Sequence, residues 1–199
     1  MKPLIKLFIL SSCFAVLFGC ATAMAPSSDD PEKILGWATI LLEKQDRPLP
    51  AERLIREAIK IYQTQNDEVG LGDAYRKYGY FFRSPSVKRW EQTYRRNGFL
   101  DKTATFDQRL NKSVEYYVKA RDLFTKNNSY DGLSNVDLDL ASVYEDKGER
   151  EMACKALDSS LANNVQFKTV SPNVEIRLQG NFKSFEELIV SEKRRMQCP

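Results

Sequence analysis

The sequence predicts an all-α fold, a short solenoid of about three helical hairpins with an insertion in the second and a capping helix at the C-terminus. Three observations carry this. First, a small residue, a large one four positions on and a small one three further recur as Ala51/Ile55/Ala58, Ser113/Tyr117/Ala120 and Ala153/Leu157/Ser160. That spacing puts each trio on one face of a helix. Second, a matching pattern precedes two of these trios, with Leu71, Gly72 and Tyr75 in one stretch and Leu140, Ala141 and Tyr144 in the other. Third, breakers fall between the apolar stripes, at Pro48 and Pro50 and at Gly148.

The elements follow in order. Residues 31–45 begin a helix: Asp29 and Asp30 can cap it, Pro31 fits its first turn, and Ile34, Leu35, Ala38, Leu41 and Leu42 form its stripe. Residues 51–65 are its partner. A second first-helix spans 67–82, where Gly79 reads as a turn glycine. Its partner is displaced to 106–126, which leaves an insertion at 83–105. Residues 127–146 and 149–163 form the third hairpin, turning at Gly148. The capping segment, 164–199, reads as irregular at 163–179, with Ser171-Pro172 as punctuation. It ends in a helix over 181–197. Phe182, Phe185, Leu188 and Ile189 share a face there, and Lys193, Arg194 and Arg195 suit a C-terminal dipole.

The pair Leu71-Gly72-x2-Tyr75, the trio Leu140-Ala141-x2-Tyr144 and the following Ala153-x3-Leu157 resemble the tetratricopeptide repeat. The resemblance covers about 30–163, with one hairpin in register and two degenerate or interrupted. It implies a helical scaffold that binds another protein through a concave groove lined by the first helix of each hairpin. The residues beside the packing spine are Trp37 and Ile40; Val69, Asp73, Arg76 and Lys77; and Asn135, Leu138, Ser142 and Glu145. By this resemblance they would contact an extended or helical peptide. The alternatives are burial for Trp37 and Leu138 and plain solvent exposure for the charged residues.

The N-terminus carries an address. Lys2 and Lys6 precede a short apolar run, 7–18, which ends in Leu17-Phe18-Gly19-Cys20-Ala21. This resembles the bacterial lipobox. It implies a signal peptide, 1–19, and a lipidated, acylated Cys20 as the mature N-terminus, followed by a tether, 20–30, that is small, polar and Pro-containing. Several acyl chains anchor stably, since each buried CH₂ contributes ~0.8 kcal/mol. Ala21 in place of Asp implies the bacterial outer membrane, with the domain facing the periplasm. Cys13 would then leave with the signal, and Cys154 and Cys198 would remain as an even pair in an oxidising compartment. A Cys154–Cys198 disulfide is expected on these grounds; the alternative is two free thiols.

Composition narrows the chemistry. With 42% hydrophobic and 29% charged residues, the 199-residue chain is long enough for one domain with a real core. Losing Lys2 and Lys6 takes the net charge from +3 to +1, so bulk charge does not point to nucleic acid. There is no histidine, which excludes histidine-based triads and histidine metal sites. Gly70-Leu71-Gly72 follows no strand and lacks the third glycine of a phosphate loop. The pairs Glu186-Glu187 and Asp137/Asp139 read as solvated faces. No catalytic, cofactor or metal residues are assigned, and the chain reads as non-enzymatic.

The insertion is the other candidate surface. Arg83, Lys88, Arg89, Arg95, Arg96 and Lys102 alternate there with Trp90, Tyr94 and Phe99. Arginine with Trp and Tyr is the composition of interface hot spots, which makes Arg89, Trp90, Tyr94, Arg95 and Arg96 candidate partner contacts. The alternative is a short amphipathic helix at about 87–96, packed on its own scaffold through Trp90 and Tyr94. The expected function is that of an envelope lipoprotein, an adaptor or scaffold for a periplasmic or outer-membrane complex. A second expectation is an immunity protein that plugs a toxic effector, such as a phospholipase delivered by type VI secretion.

Overall fold

The computed structural model of the chain describes residues 27–174 and 182–199, and these are all-α. The expected signal peptide, Cys20, the tether up to residue 26, and residues 175–181 of the capping segment lie outside the described residues. In chain order the helices are α1 (Pro31–Glu43), α2 (Pro48–Gln65), α3 (Glu68–Arg83), α4 (Pro85–Arg89), α5 (Glu91–Asn97), α6 (Arg109–Lys126), α7 (Tyr130–Asp146), α8 (Arg150–Val170) and α9 (Phe185–Arg195).

Local chemistry sets most of these boundaries. The Asp30 carboxylate accepts from the Glu32 and Lys33 N–H groups, and Pro31 opens α1. Asp67 caps α3 by accepting from the Gly70 N–H at 2.9 Å. Ser184 accepts from the Glu187 N–H, while the Glu187 carboxylate reaches back to the Lys183 N–H. The first bond satisfies an orphan donor of α9, and the second holds the chain that enters it. Gly148, at φ 77°, turns the chain between α7 and α8 in the left-handed region where a Cβ is strained.

The hairpins are α1/α2, α3/α6 and α7/α8. Packing of α2 on α3 and of α6 on α7 stacks them in series, and α9 covers α8. Further contacts join α1 to α3 and α3 to α7, so the first helices of the hairpins lie side by side. The recurring small residues sit at the crossings. Gly72 lies against the ring of Phe124, where an added Cβ would come within 2.6 Å of Cε1. The Ser134 and Ser160 hydroxyls each donate to the other residue's carbonyl, at 3.1 and 2.7 Å. These contacts are buried, so each hydroxyl replaces the water it gives up. Cys154 and Cys198 form a disulfide with a Cα–Cα distance of 5.6 Å, which ties the C-terminus to α8.

Four expectations are corrected. Gly79 is not a turn glycine: it lies inside α3, where the Tyr117 ring occupies the space a Cβ would need and the Gly79 carbonyl accepts from the Ser113 hydroxyl at 2.7 Å. Residues 163–170 are not irregular. The last turns of α8 are held to α7 by the Asn163 amide donating to Asp137 at 2.8 Å, and the helix stops just before Pro172. Asp137 is therefore not on a solvated face. It is 1% exposed and also meets Arg121 of α6 at 3.2 Å. The insertion, finally, is two short helices that meet at Trp90 rather than one.

Candidate functional site

A groove of about 800 Å³ opens along α3 between α1 and α7. Of the residues expected to contact a partner, Val69, Asp73, Arg76 and Lys77 line it, from consecutive turns of α3. Tyr80 continues their line along α3, and facing them are Glu32 and Glu43 of α1 and Asp139 of α7. Residues three and four apart stack along one side of a helix, so a run from Asp73 through Tyr80 presents one continuous strip.

The charges in this groove are unevenly satisfied. The Arg76 Nε donates to Asp139 Oδ2 at 2.5 Å, an ion pair that joins α3 to α7. Asp73, one turn earlier, has no hydrogen bond or ion pair among the described residues. Desolvation by the groove walls pushes its carboxyl up to about 6, with Arg76 opposing the shift and Asp131 and Asp67 adding to it. Its side chain still reaches solvent, so the crowding is one-sided rather than an enclosure. Lys77 also lacks an ion pair; burial, then repulsion from Arg76, lowers its ammonium below the usual range. Its Nζ lies 5.9 Å from the centre of the Tyr80 ring. Burial, then the neighbouring Glu43, raises the Tyr80 phenol.

The remaining expected groove residues lie beside this strip. Trp37 is half-buried and packs on the apolar core of the first two hairpins. Leu138 packs on the core of the third. The Asn135 amide donates to the Asp131 carbonyl at 2.9 Å, and the Ser142 hydroxyl donates to the Leu138 carbonyl at 3.2 Å, both within α7. Glu145 is taken by Arg195 of α9, whose Nη2 donates to Oε2 at 2.8 Å.

The insertion folds back onto the scaffold. Asp46, in the turn between α1 and α2, accepts from the Ser86 hydroxyl at 2.7 Å, Arg89 Nη2 at 2.6 Å and the Trp90 indole at 3.4 Å. Arg89, then Ser86, holds the Asp46 carboxyl at about 2. Tyr94 and Phe99 stack at 4.3 Å and meet the Phe81 ring edge to face. Below them Glu52 of α2, 1% exposed, accepts from the Tyr78 hydroxyl at 2.9 Å and from the Leu100 N–H at 2.8 Å. Arg95 donates to Glu91 and to Asp107, each at 2.6 Å, while Arg96 is exposed with no side-chain partner among the described residues.

Sequence reasoning missed Glu43, Glu52, Tyr80 and Asp139. Tyr80 was within reach, since it continues the Asp73–Lys77 spacing by three residues. Glu52 and Asp139 were not, because their partners lie 26 and 63 positions away along the chain. Among the described residues no group of acidic or cysteine side chains is arranged to hold a metal ion, and no helix is long and apolar enough to cross a membrane. No protein-family model matches the chain, and no curated protein or solved structure matches it.

Proposed function

We propose that this chain is a lipid-anchored envelope protein, non-enzymatic, that receives a segment of another protein in the groove between α1, α3 and α7. The observation that carries the reading is the pair of unpaired charges lining the groove. Lys77 is half-buried, and Asp73, though exposed, is crowded on one side by the groove walls; neither has an ion pair among the described residues. A charge crowded away from water without a partner is unfavourable, most of all the half-buried Lys77, and a docked segment of complementary charge that also excludes water relieves that. The adaptor role, the lipidation of Cys20 and the outer-membrane location rest on the sequence resemblances.

The test is capture of partners from envelope extract by the full chain, compared with Asp73→Lys and Lys77→Glu. The parent is expected to retain a partner that both reversals release. Capture unchanged by either reversal would overturn the groove reading. A single, tightly held partner with toxic activity would assign the chain to immunity rather than assembly. Transfer of Cys20→Ala from the membrane to the soluble fraction checks the anchor separately.

A further inference from the structure

A second cavity, about 520 Å³, lies at the C-terminal end of α3, where the insertion meets the third hairpin. Tyr80 lines both this cleft and the groove, so the two are neighbours along the same helix. Their charges are opposite in sign. The groove is lined by Glu32, Glu43, Asp67, Asp73 and Asp139 against Arg76 and Lys77. The cleft is lined by Arg83, Lys88 and Arg109 against Asp146.

Asp146 is already engaged, accepting from Arg83 at 3.1 Å. The other two cations are not. Neither the Lys88 ammonium nor the Arg109 guanidinium has a hydrogen bond or ion pair among the described residues. Arg109 Nε is buried with no acceptor among the described residues. Its guanidinium rests against the Phe106 ring, 5.1 Å from the centre, with Arg95 at 4.9 Å from the same ring. Turning the Arg109 guanidinium toward the cleft therefore breaks no hydrogen bond and gives an orphaned donor its acceptor. The planar fork of arginine favours a carboxylate, which it can hold through two parallel bonds. Ser84, the polar group at the start of α4, is used: its hydroxyl donates to the Phe81 carbonyl and accepts from the Val87 N–H. A phosphate would want free backbone N–H groups at a helix start, and the Val87 and Lys88 N–H groups of α4 are already bonded to Ser84.

We propose that the Arg83–Lys88–Arg109 cleft binds the side-chain carboxylates of an acidic stretch of the docked protein. This rests on the protein-binding reading of the adjacent groove. Together the two cavities read a segment with opposite charge at its two ends. That gives the insertion a role its buried aromatics do not, since Lys88 is its contribution to the cleft.

The test uses the full chain with ¹⁵N-labelled arginine and three probes: a blocked hexaglutamate peptide, the matching hexalysine peptide and inorganic phosphate. Hexaglutamate is expected to shift the Arg109 Nε–H resonance, and Lys88→Glu and Arg109→Gln are each expected to weaken its binding by about tenfold or more. Lys88 is exposed and its ammonium has no hydrogen bond or ion pair among the described residues, so Lys88→Glu leaves the fold intact. No movement of the Arg109 resonance with hexaglutamate overturns the proposal. So does an equal response to phosphate, which would make the cleft a site for free anions. Loss of hexaglutamate binding alongside intact, Asp73-dependent partner capture would remove this proposal and leave the groove reading standing.

Discussion

Replacing Glu52 with Ala tests the buried connection between the scaffold and the insertion. Both of its donors, the Tyr78 hydroxyl and the Leu100 N–H, converge on Oε1 in a site 1% exposed. Removing the carboxyl leaves both donors orphaned. Each buried orphan costs about 1–3 kcal/mol, so E52A is expected to lose about 2–5 kcal/mol in urea unfolding. E52Q keeps an acceptor and is expected to stay within about 1.5 kcal/mol. Y78F alone is expected to cost about 1 kcal/mol, and less in the E52A background, where the Tyr78 hydroxyl has already lost its acceptor. Burial raises the Glu52 carboxyl above its ordinary value, against the hydrogen bonds from Tyr78 and Leu100. A raised folded value means that the stability Glu52 contributes is complete below the unfolded value of about 4.3 and declines as pH rises through the folded one. The parent's advantage over E52Q should therefore shrink with rising pH. An E52A variant within about 0.5 kcal/mol of the parent would refute the reasoning, because that is the scatter of an ordinary surface change.

Gly72→Ala is expected to destabilise by about 1–2 kcal/mol in urea unfolding, since overpacking of the fully buried Phe124 outweighs the roughly 1 kcal/mol gained in helix propensity; adding Phe124→Leu should make it neutral or favourable. The Asp73 carboxyl is expected to titrate near pH 6 by carbon-13 NMR. Its contribution to stability is then complete below the ordinary carboxylate range and lost as pH rises through about 6, so D73N should stabilise at pH above 6 and not below about 4, by less than about 1 kcal/mol because the side chain is solvent-screened. Reducing the Cys154–Cys198 bond, whose ends are 44 positions apart, is expected to lower stability by about 4 kcal/mol on loop entropy, read from urea midpoints with and without reductant.

Helix identity was legible in this chain because helices obey local rules. Caps such as Asp30 and Asp67, and the three-position spacing of small and large residues, act within one or two turns. The same locality explains the errors. Gly79 carries a turn-like residue type, and its true role, making room for Tyr117, depends on a residue 38 positions on. The end of α8 was misplaced because Asn163 looks like a helix terminator until Asp137 comes alongside. The Cys154–Cys198 bond was expected on chemical grounds of compartment and pairing, and it is present.

The candidate site divides the same way. Periodicity put Asp73, Arg76 and Lys77 on one helix face, and that face lines the groove. It said nothing of Asp139 pairing with Arg76, nor of Asp73 being left without a partner, since an ion pair is a fact about space rather than spacing. The insertion makes the point most clearly. Its composition of arginines and aromatics is the same whether the rings bind a partner or fill a core. Tyr94 and Phe99 are both 1% exposed, and their rings meet Phe81 in the core rather than a partner. Composition and periodicity by themselves determined an all-α chain of three hairpins with its apolar faces, and the expected compartment pointed to its disulfide partners. Which charges are neutralised, which are left open along α3, and which aromatics are spent on the core were decided by the tertiary structure. The physical reason is that the unpaired charges are set by residues brought together from distant turns of the chain.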